Sequence, residues 1–415
     1  MYLKFILTST LVILALDWYF FRSFRSLIKN YAKNFKLAFT IGYWLITFFT
    51  IGFMFFVASY FADKTAAPKI FRVYVMGFIF IIFASKVIGS LFIVAHDIKS
   101  VVLFVKNKLF PKVVAENPNT ISRKDFLKKT GVIAAAIPFG TLLFGMLKSA
   151  YDYTVKREKL TIHNLPNAFK GLKIVQISDL HVGSFLDDEP LKKAVKLINE
   201  QQPDLIFFTG DLVNDITEEV LPFVDTLKTL SAPLGVYSIL GNHDYGDYFY
   251  QKDDLEGKKH NLELMKKAHH SMGWKLLLNE NVVLEKNNER LAILGVENWG
   301  DGGRFPKYGD LDLAKNGLLP TDIKLLLSHD PSHWEAKILP EHSDIAATFS
   351  GHTHGMQFGI EIPNFKWSPS QYLYKQWAGL YTTNQQHLYV NRGLGFIGYP
   401  GRVGILPEIT VFELS

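Results

Sequence analysis

The chain of 415 residues is 48% hydrophobic, 14% aromatic and 20% charged, and it contains no cysteine. The lack of thiols excludes disulfides, zinc fingers, iron–sulfur clusters and thiol catalysis, and the composition excludes collagen-like and low-complexity chains. The net charge of +6 hides a split: residues 1–148 carry 19 Lys and Arg against 5 Asp and Glu, whereas residues 149–415 carry 26 against 34. An acidic back part repels phosphate backbones, so nucleic-acid binding is not expected.

Four apolar runs occupy the front part, at residues 5–21, 37–62, 73–95 and 131–147. The second and fourth carry no charge, the first carries Asp17, the third carries Lys86, and Pro138 lies inside the fourth. About 20 mostly apolar residues suffice to cross a bilayer as a helix, so residues 1–148 are expected to form a four-helix transmembrane anchor. No small-residue cleavage site follows the first run, which argues against a removable signal peptide. Asp17 is expected near a helix end and Lys86 to snorkel on its long stem.

The loops set an orientation. The first, 22–36, holds Arg22, Arg25, Lys29, Lys33 and Lys36 with no acid, the second, 63–72, holds three basic residues, and the third, 97–130, holds eight. The first and third are expected in the cytoplasm. The domain after the fourth helix then lies outside, in a multi-pass membrane protein, although Lys148, Lys156, Arg157 and Lys159 oppose this. The stretch Ser122-Arg123-Lys124-Asp125-Phe126-Leu127-Lys128 resembles the twin-arginine export motif, with Lys124 in place of the second arginine and an internal position.

Residues 149–165 read as a linker and 166–415 as a second domain. Strands are expected at 172–178, 204–208, 235–240, 274–278, 281–285, 290–296, 323–328, 345–349, 387–391 and 408–413. Helices are expected at 190–200, 218–230, 258–270 and 333–339, the first with Leu191, Ala194, Val195 and Ile198 on one face. The alternation implies α/β layers, helices around buried sheet.

Five motifs follow strands in order: Asp179-Leu180-His181, Gly210-Asp211, Gly241-Asn242-His243-Asp244, His329, and Gly351-His352-Thr353-His354-Gly355. Ligands of open α/β folds bind beyond the carboxyl ends of strands, where distant residues meet. Two aspartates, one amide and four imidazoles, His243 and Asp244 set aside, make a mixed oxygen and nitrogen set. Such a set suits Mn, Fe, Zn or Co, and seven ligands suit two divalent ions sharing one carboxylate. Glycines beside His352 and His354 leave room for close approach.

The ordered set resembles the calcineurin-like metallophosphoesterase family over about 172–414, including Asn391-Arg392-Gly393-Leu394-Gly395, Arg402 and Pro407-Glu408-Ile409. With the anchor, it points to the membrane-anchored bacterial branch. The resemblance implies a β-sandwich flanked by helices with metals at the sheet edge. It implies one ion on Asp179, His181, Asp211 and His354, another on Asp211, Asn242, His329 and His352, and His243 as the catalytic group beside the leaving group. Phosphoprotein phosphatases place an Asp three residues after the bridging one. Here Asn214 stands there, with Asp215 one further on.

The implied activity is hydrolysis of a phosphoester, lipid-linked, envelope-derived or scavenged, by hydroxide generated between two cations. Alternatives are a UDP-2,3-diacylglucosamine-type pyrophosphatase and a non-catalytic metal-binding scaffold or transport component. Arg304 is a candidate second phosphate contact. Tyr245, Tyr248 and Phe249 are candidates to stack on a base or lipid. His269 and His270 read as solvated helix residues. The aromatic run Phe358, Phe365, Trp367, Tyr372, Tyr374 and Trp377 reads as core packing, with a membrane face or a lipid pocket as the alternative.

Overall fold

The computed structural model describes residues 2–60, 68–110, 123–302 and 305–415. It divides into two compact units, Met1–Phe144 and Gly145–Ser415. Ser122 of the basic motif and Arg304 lie outside the described residues.

The first unit is helical: α1 (Tyr2–Leu27), α2 (Lys33–Tyr60), α3 (Met76–Leu109) and most of α4 (Arg123–Leu147). Helix α4 runs through Pro138. Among the described residues, Lys33–Phe56, Phe71–Leu109 and Thr130–Leu147 are long and apolar enough to cross a membrane. Their many outward Leu, Ile and Phe side chains are what a hydrocarbon surrounding requires. Helices α3 and α4 approach closely: a Cβ on Gly89 would stand 2.7 Å from Ala135 Cβ and from the Gly131 carbonyl oxygen. Small residues permit such contact where apolar burial gives no driving force.

The two intramembrane charges correct an expectation. Asp17 is fully buried, and Lys86 Nζ meets its Oδ1 at 2.5 Å rather than snorkelling away. Thr47 Oγ1 also donates to the carboxylate, and the Tyr43 hydroxyl donates to the Asp17 carbonyl at 3.1 Å. Residues from α1, α2 and α3 thus share one polar knot, which no local sequence pattern reveals.

The second unit is a sandwich of two six-stranded sheets. One has the order β1 (Thr154–Leu160), β14 (Glu408–Leu414), β2 (Lys173–Ile177), β3 (Leu205–Thr209), β4 (Val236–Ile239), β5 (Lys275–Leu276). The other has the order β12 (Gly379–Thr383), β13 (Gln386–Val390), β9 (Ile345–Ser350), β8 (Ile323–Leu327), β7 (Glu289–Gly295), β6 (Glu280–Lys286). A hairpin of β10 (Ile360–Ile362) and β11 (Phe365–Trp367) stands apart from both.

Strands β2 to β5 run parallel, as do β7, β8, β9 and β13. Alternate side chains of both sheets build one core: Leu205, Phe207 and Ile239 face Leu325, Leu327, Ala347 and Phe349. Helices cover the outer faces. The amphipathic α5 (Glu189–Asn199) buries Leu191, Ala194, Val195 and Ile198, and Trp334 and Ile338 pack on the far side of β7 and β8.

Three expectations differ from this picture. Residues 149–165 are not a linker, because β1 lies within them and pairs in parallel with β14 from Thr154↔Glu408 to Leu160↔Leu414. Its sequence TVKREKL is charged because it is an edge strand with much of its surface in water. The helix expected at 218–230 is two single turns and the short α6 (Val224–Leu227), since Pro222 lacks the N–H a continuous helix needs. His269, on α7 (Leu255–Ser271), is buried rather than solvated: its Nδ1 meets Ser238 Oγ at 2.9 Å and its ring packs on Trp274.

Candidate functional site

Each expected site motif follows the carboxyl end of a parallel strand: Asp179 and His181 after β2, Asp211 after β3, Asn242 and His243 after β4, His329 after β8, His352 and His354 after β9. The sandwich brings these five ends to one edge. Five of the residues have left-handed backbones, at φ 50° (Asp179), 46° (His181), 59° (Asp211), 73° (His352) and 49° (His354). Each costs roughly 1–2 kcal/mol for an L-residue. Strain repeated at converging polar side chains marks a functional site. Gly351 is required here, since a Cβ on it would stand 2.3 Å from Asp179 Oδ2.

Two triads form. Asp179, His181 and His354 offer donor atoms within 4.8 Å of one another, as do Asp211, His329 and His352. Asp211 also reaches the first triad: its Oδ2 lies 3.6 Å from His181 Nε2 and 3.1 Å from His329 Nε2. Asn242 joins the second triad, its Oδ1 lying 2.8 Å from His352 Nδ1. All seven expected ligands are therefore together.

The donor chemistry fits divalent cations. His181 Nδ1 faces the Val213 carbonyl at 3.1 Å and His329 Nδ1 faces the Thr209 carbonyl at 2.7 Å. Each ring donates its N–H there, which assigns a bare lone pair to Nε2 in the neutral form. The His181 Nε2 lies 3.1 Å from His354 Nε2 and the His354 Nε2 3.3 Å from Asp179 Oδ1. Buried lone pairs and carboxylate oxygens aimed at one another repel unless positive charge sits among them.

The titration behaviour makes the same demand. Burial alone pushes the Asp179 carboxyl up, yet facing His354 holds it well below the usual carboxylate range. Asp211 behaves alike under His329. Burial pulls His329 down, but the Asp211 carboxylate overrides it and raises the imidazole to about 10. A buried cation is what these groups favour, and a metal ion supplies more charge than a proton.

Supporting groups fix the loops. Asp244 is fully buried and accepts the N–H groups of Asp211 at 3.0 Å, Leu212 at 2.8 Å, Val213 at 3.2 Å and Gly241 at 2.8 Å. It ties the loops after β3 and β4, and burial with the nearby Asp211 charge pushes its own carboxyl up to about 7. Buried Arg402 donates to the Arg392 carbonyl at 2.7 Å and lies 3.2 Å from His354 Nδ1. The Tyr374 hydroxyl lies 2.7 Å from His352 Nε2, with Asp330 Oδ2 at 3.6 Å. That pairing assigns Nδ1 of His352 as its inward atom.

His243 sits beside the triads, not in them. Its N–H donates to Asp211 Oδ1 at 2.9 Å, and its ring lies 5.0 Å from that of His181. The residue that orients it is Asn214, through the backbone carbonyl, 2.6 Å from His243 Nδ1. A carbonyl here takes the part a carboxylate would play, and motif spacing carries no signal for a main-chain acceptor.

Tyr245 is not at the site. It is buried, its hydroxyl 3.4 Å from Glu297 Oε1 and accepting the Asn298 N–H at 3.1 Å. Tyr248 is the tyrosine beside the site, its ring 4.5 Å from that of His243 and its hydroxyl accepting from Asn242 Nδ2 at 2.8 Å. Phe305 lies edge-on to His352 at 5.0 Å.

The chain is similar to known proteins along most of its length. The family model described as "Probable Calcineurin-like phosphoesterase, transmembrane domain" matches residues 3–150, and that of the calcineurin-like phosphoesterases matches residues 172–356. The metallophosphoesterase YkuE of Bacillus subtilis is 31% identical over 71% of this chain and 98% of its own length. A transmembrane protein with metallophosphoesterase domain from Danio rerio is 29% identical over 68% of this chain, and the match spans 62% of that relative. The UDP-2,3-diacylglucosamine pyrophosphatase LpxG of Chlamydia muridarum is 31% identical over 56% of this chain and 81% of its own length. A helical membrane unit followed by a two-sheet sandwich carrying all five motifs places the chain in the calcineurin-like metallophosphoesterase family, as a membrane protein and a metal-dependent phosphoester hydrolase.

Proposed function

We propose that the chain is a membrane-anchored phosphoesterase that works with two divalent ions. The observation that carries this reading is the pair of triads, buried except for the half-buried His352, each within 4.8 Å and joined by Asp211. Asp179, His181, Asp211 and His354 would hold one ion, and Asp211, Asn242, His329 and His352 the other. Mn, Fe, Zn and Co all suit this set. Bound there, such a pair supplies Lewis acidity at the phosphoryl oxygens and hydroxide near neutral pH.

The remaining work belongs to the protein's own groups. The outer hydrogen bonds of His181 and His329 keep their rings in the tautomer that presents Nε2 inward. The Asn214 carbonyl holds His243 by its Nδ1–H, so that the ring, when it carries a proton on both nitrogens, passes the one on Nε2 to the departing oxygen and is left neutral. Tyr248, tilted against that ring at 4.5 Å, screens it from water on one side. Purified full-length protein with Mn²⁺ should cleave at least one of bis(p-nitrophenyl) phosphate, p-nitrophenyl phosphate and a UDP-linked lipid. Inactivity on all three would leave a non-catalytic metal-binding body.

A second reading is supported by the likeness to the chlamydial pyrophosphatase: a UDP-2,3-diacylglucosamine-type pyrophosphatase, acting on a lipid-linked diphosphate at the cytoplasmic face. The loop charges favour a multi-pass inner-membrane protein with the catalytic domain outside. A reporter fused after Ser415 decides between them, since activity of the reporter only in the cytoplasm supports the pyrophosphatase.

A further inference from the structure

The hairpin of β10 and β11 is built with its apolar side outward. Its register pairs Ile360 with Trp367 and Ile362 with Phe365. Directly opposed residues share a face, so these four side chains form one side. Ile362 is 58% and Phe365 53% exposed. The alternate residues turn toward the protein. Glu361 meets Lys156 at 2.5 Å and Arg392 at 2.8 Å, and Lys366 Nζ donates to the Ala378 carbonyl at 2.5 Å.

A sheet facing water on one side carries its polar residues outward. Here ion pairs and a carbonyl hold the polar side in. The apolar surface continues onto the flanking turns with exposed Met356, Phe358 and Leu373. Contiguous apolar surface of this kind marks an interaction site.

We propose that this face is a bilayer-contacting surface of the catalytic unit, placed beside the candidate metal centre. Three observations select lipid as the occupant. The chain carries a transmembrane domain, so a bilayer is always within its reach. Trp367 and Tyr372, an aromatic pair 3.5 Å apart through indole N–H and hydroxyl, border the patch, and such amphipathic rings settle at the headgroup level. Residues 149–415 carry 34 acids, yet residues 356–375 hold only Glu361, which is turned inward, against Lys366 and Lys375. That removes the negative charge that would repel anionic headgroups. The face also adjoins the centre: it starts two residues after His354, and Tyr374 at its far end touches His352.

The chain has no cysteine, so Ile362→Cys provides a unique labelling site. The full-length variant, carrying an environment-sensitive fluorophore, is reconstituted into phosphatidylcholine–phosphatidylglycerol vesicles with brominated acyl chains. Leu319→Cys, 47% exposed ahead of β8 and so remote from the carboxyl ends of the strands, is the control, and Phe365→Cys is the second hairpin variant. The expected result is blue-shifted emission and several-fold stronger bromine quenching at 362 and 365 than at 319. Water-like emission with no excess quenching at 362 and 365 overturns the proposal. So does shielding that appears only as protein density in the vesicles rises, which assigns the face to a second copy. The readout needs neither turnover nor bound metal, so it fails or succeeds separately from the phosphoesterase reading.

Discussion

Replacing Asp211 by Asn removes one charge while keeping the shape of the side chain. Its Oδ1 still accepts the His243 N–H, now at 2.9 Å, so the loop is retained. What disappears is the carboxylate shared between the two triads, 98% buried and 3.1 Å and 3.6 Å from the His329 and His181 nitrogens. Unit charges 4 Å apart attract by about 4 kcal/mol at an effective dielectric of about 20, and a divalent ion feels more. Affinity for each ion should therefore fall by about three orders of magnitude or more. The assay is metal content by mass spectrometry after gel filtration with Mn²⁺, backed by calorimetric titration and by near-ultraviolet circular dichroism to verify folding. A folded Asp211→Asn protein that keeps two ions per chain at wild-type affinity would refute the shared-carboxylate reasoning.

His243→Ala should lower kcat by about 10²–10⁴ with two ions still bound, as read by paired kinetics and metal analysis. Asn214→Ala, which keeps the carbonyl that holds His243, should leave kcat within a few-fold of wild type. In the membrane unit, Lys86→Met leaves Asp17 buried and unpaired, at a cost of about 3–5 kcal/mol, and adding Asp17→Asn should recover much of it, both read from thermal unfolding in detergent. Burial lowers His269 to about 3, and burial with His342 lowers His333 to about 3. Both are neutral when folded, whereas the unfolded chain takes up protons below about 6.5. Their contribution to stability is complete above about pH 6.5 and is lost as pH falls toward 3, at up to about 1.4 kcal/mol per pH unit per site. Denaturant midpoints of the metal-free protein at pH 7.5 and 5 should show this loss, and His269→Leu should reduce it.

The sequence exposed the features that depend on short-range pattern. Runs such as LKIVQIS and DLIFF are buried on both faces and close on Asp or Gly, so ten strands are found near their expected places. Because the site strands are parallel, their motifs had to gather at one edge, and a list of residues became a place. What stayed hidden depends on partners far along the chain. Strand β1 reads as a charged linker until β14 arrives beside it. Asp17 and Lys86 look independent until α1 and α3 pack. Tyr245 and Tyr248 are alike in sequence, and only the turn after β4 sends one into the core and the other to His243. The apolar side of the β10–β11 hairpin alternates as a buried strand does, and its outward direction follows from Glu361 being drawn inward by Lys156 and Arg392.

The most direct measurement is an anomalous difference map at the manganese edge from crystals of the full-length protein grown with Mn²⁺. Two peaks about 3.5–4 Å apart are expected, one among Asp179, His181 and His354 and one among His329, His352 and Asn242, with Asp211 between them. A map with no peak at this edge of the sandwich, or with one ion held without Asp211, would contradict that expectation.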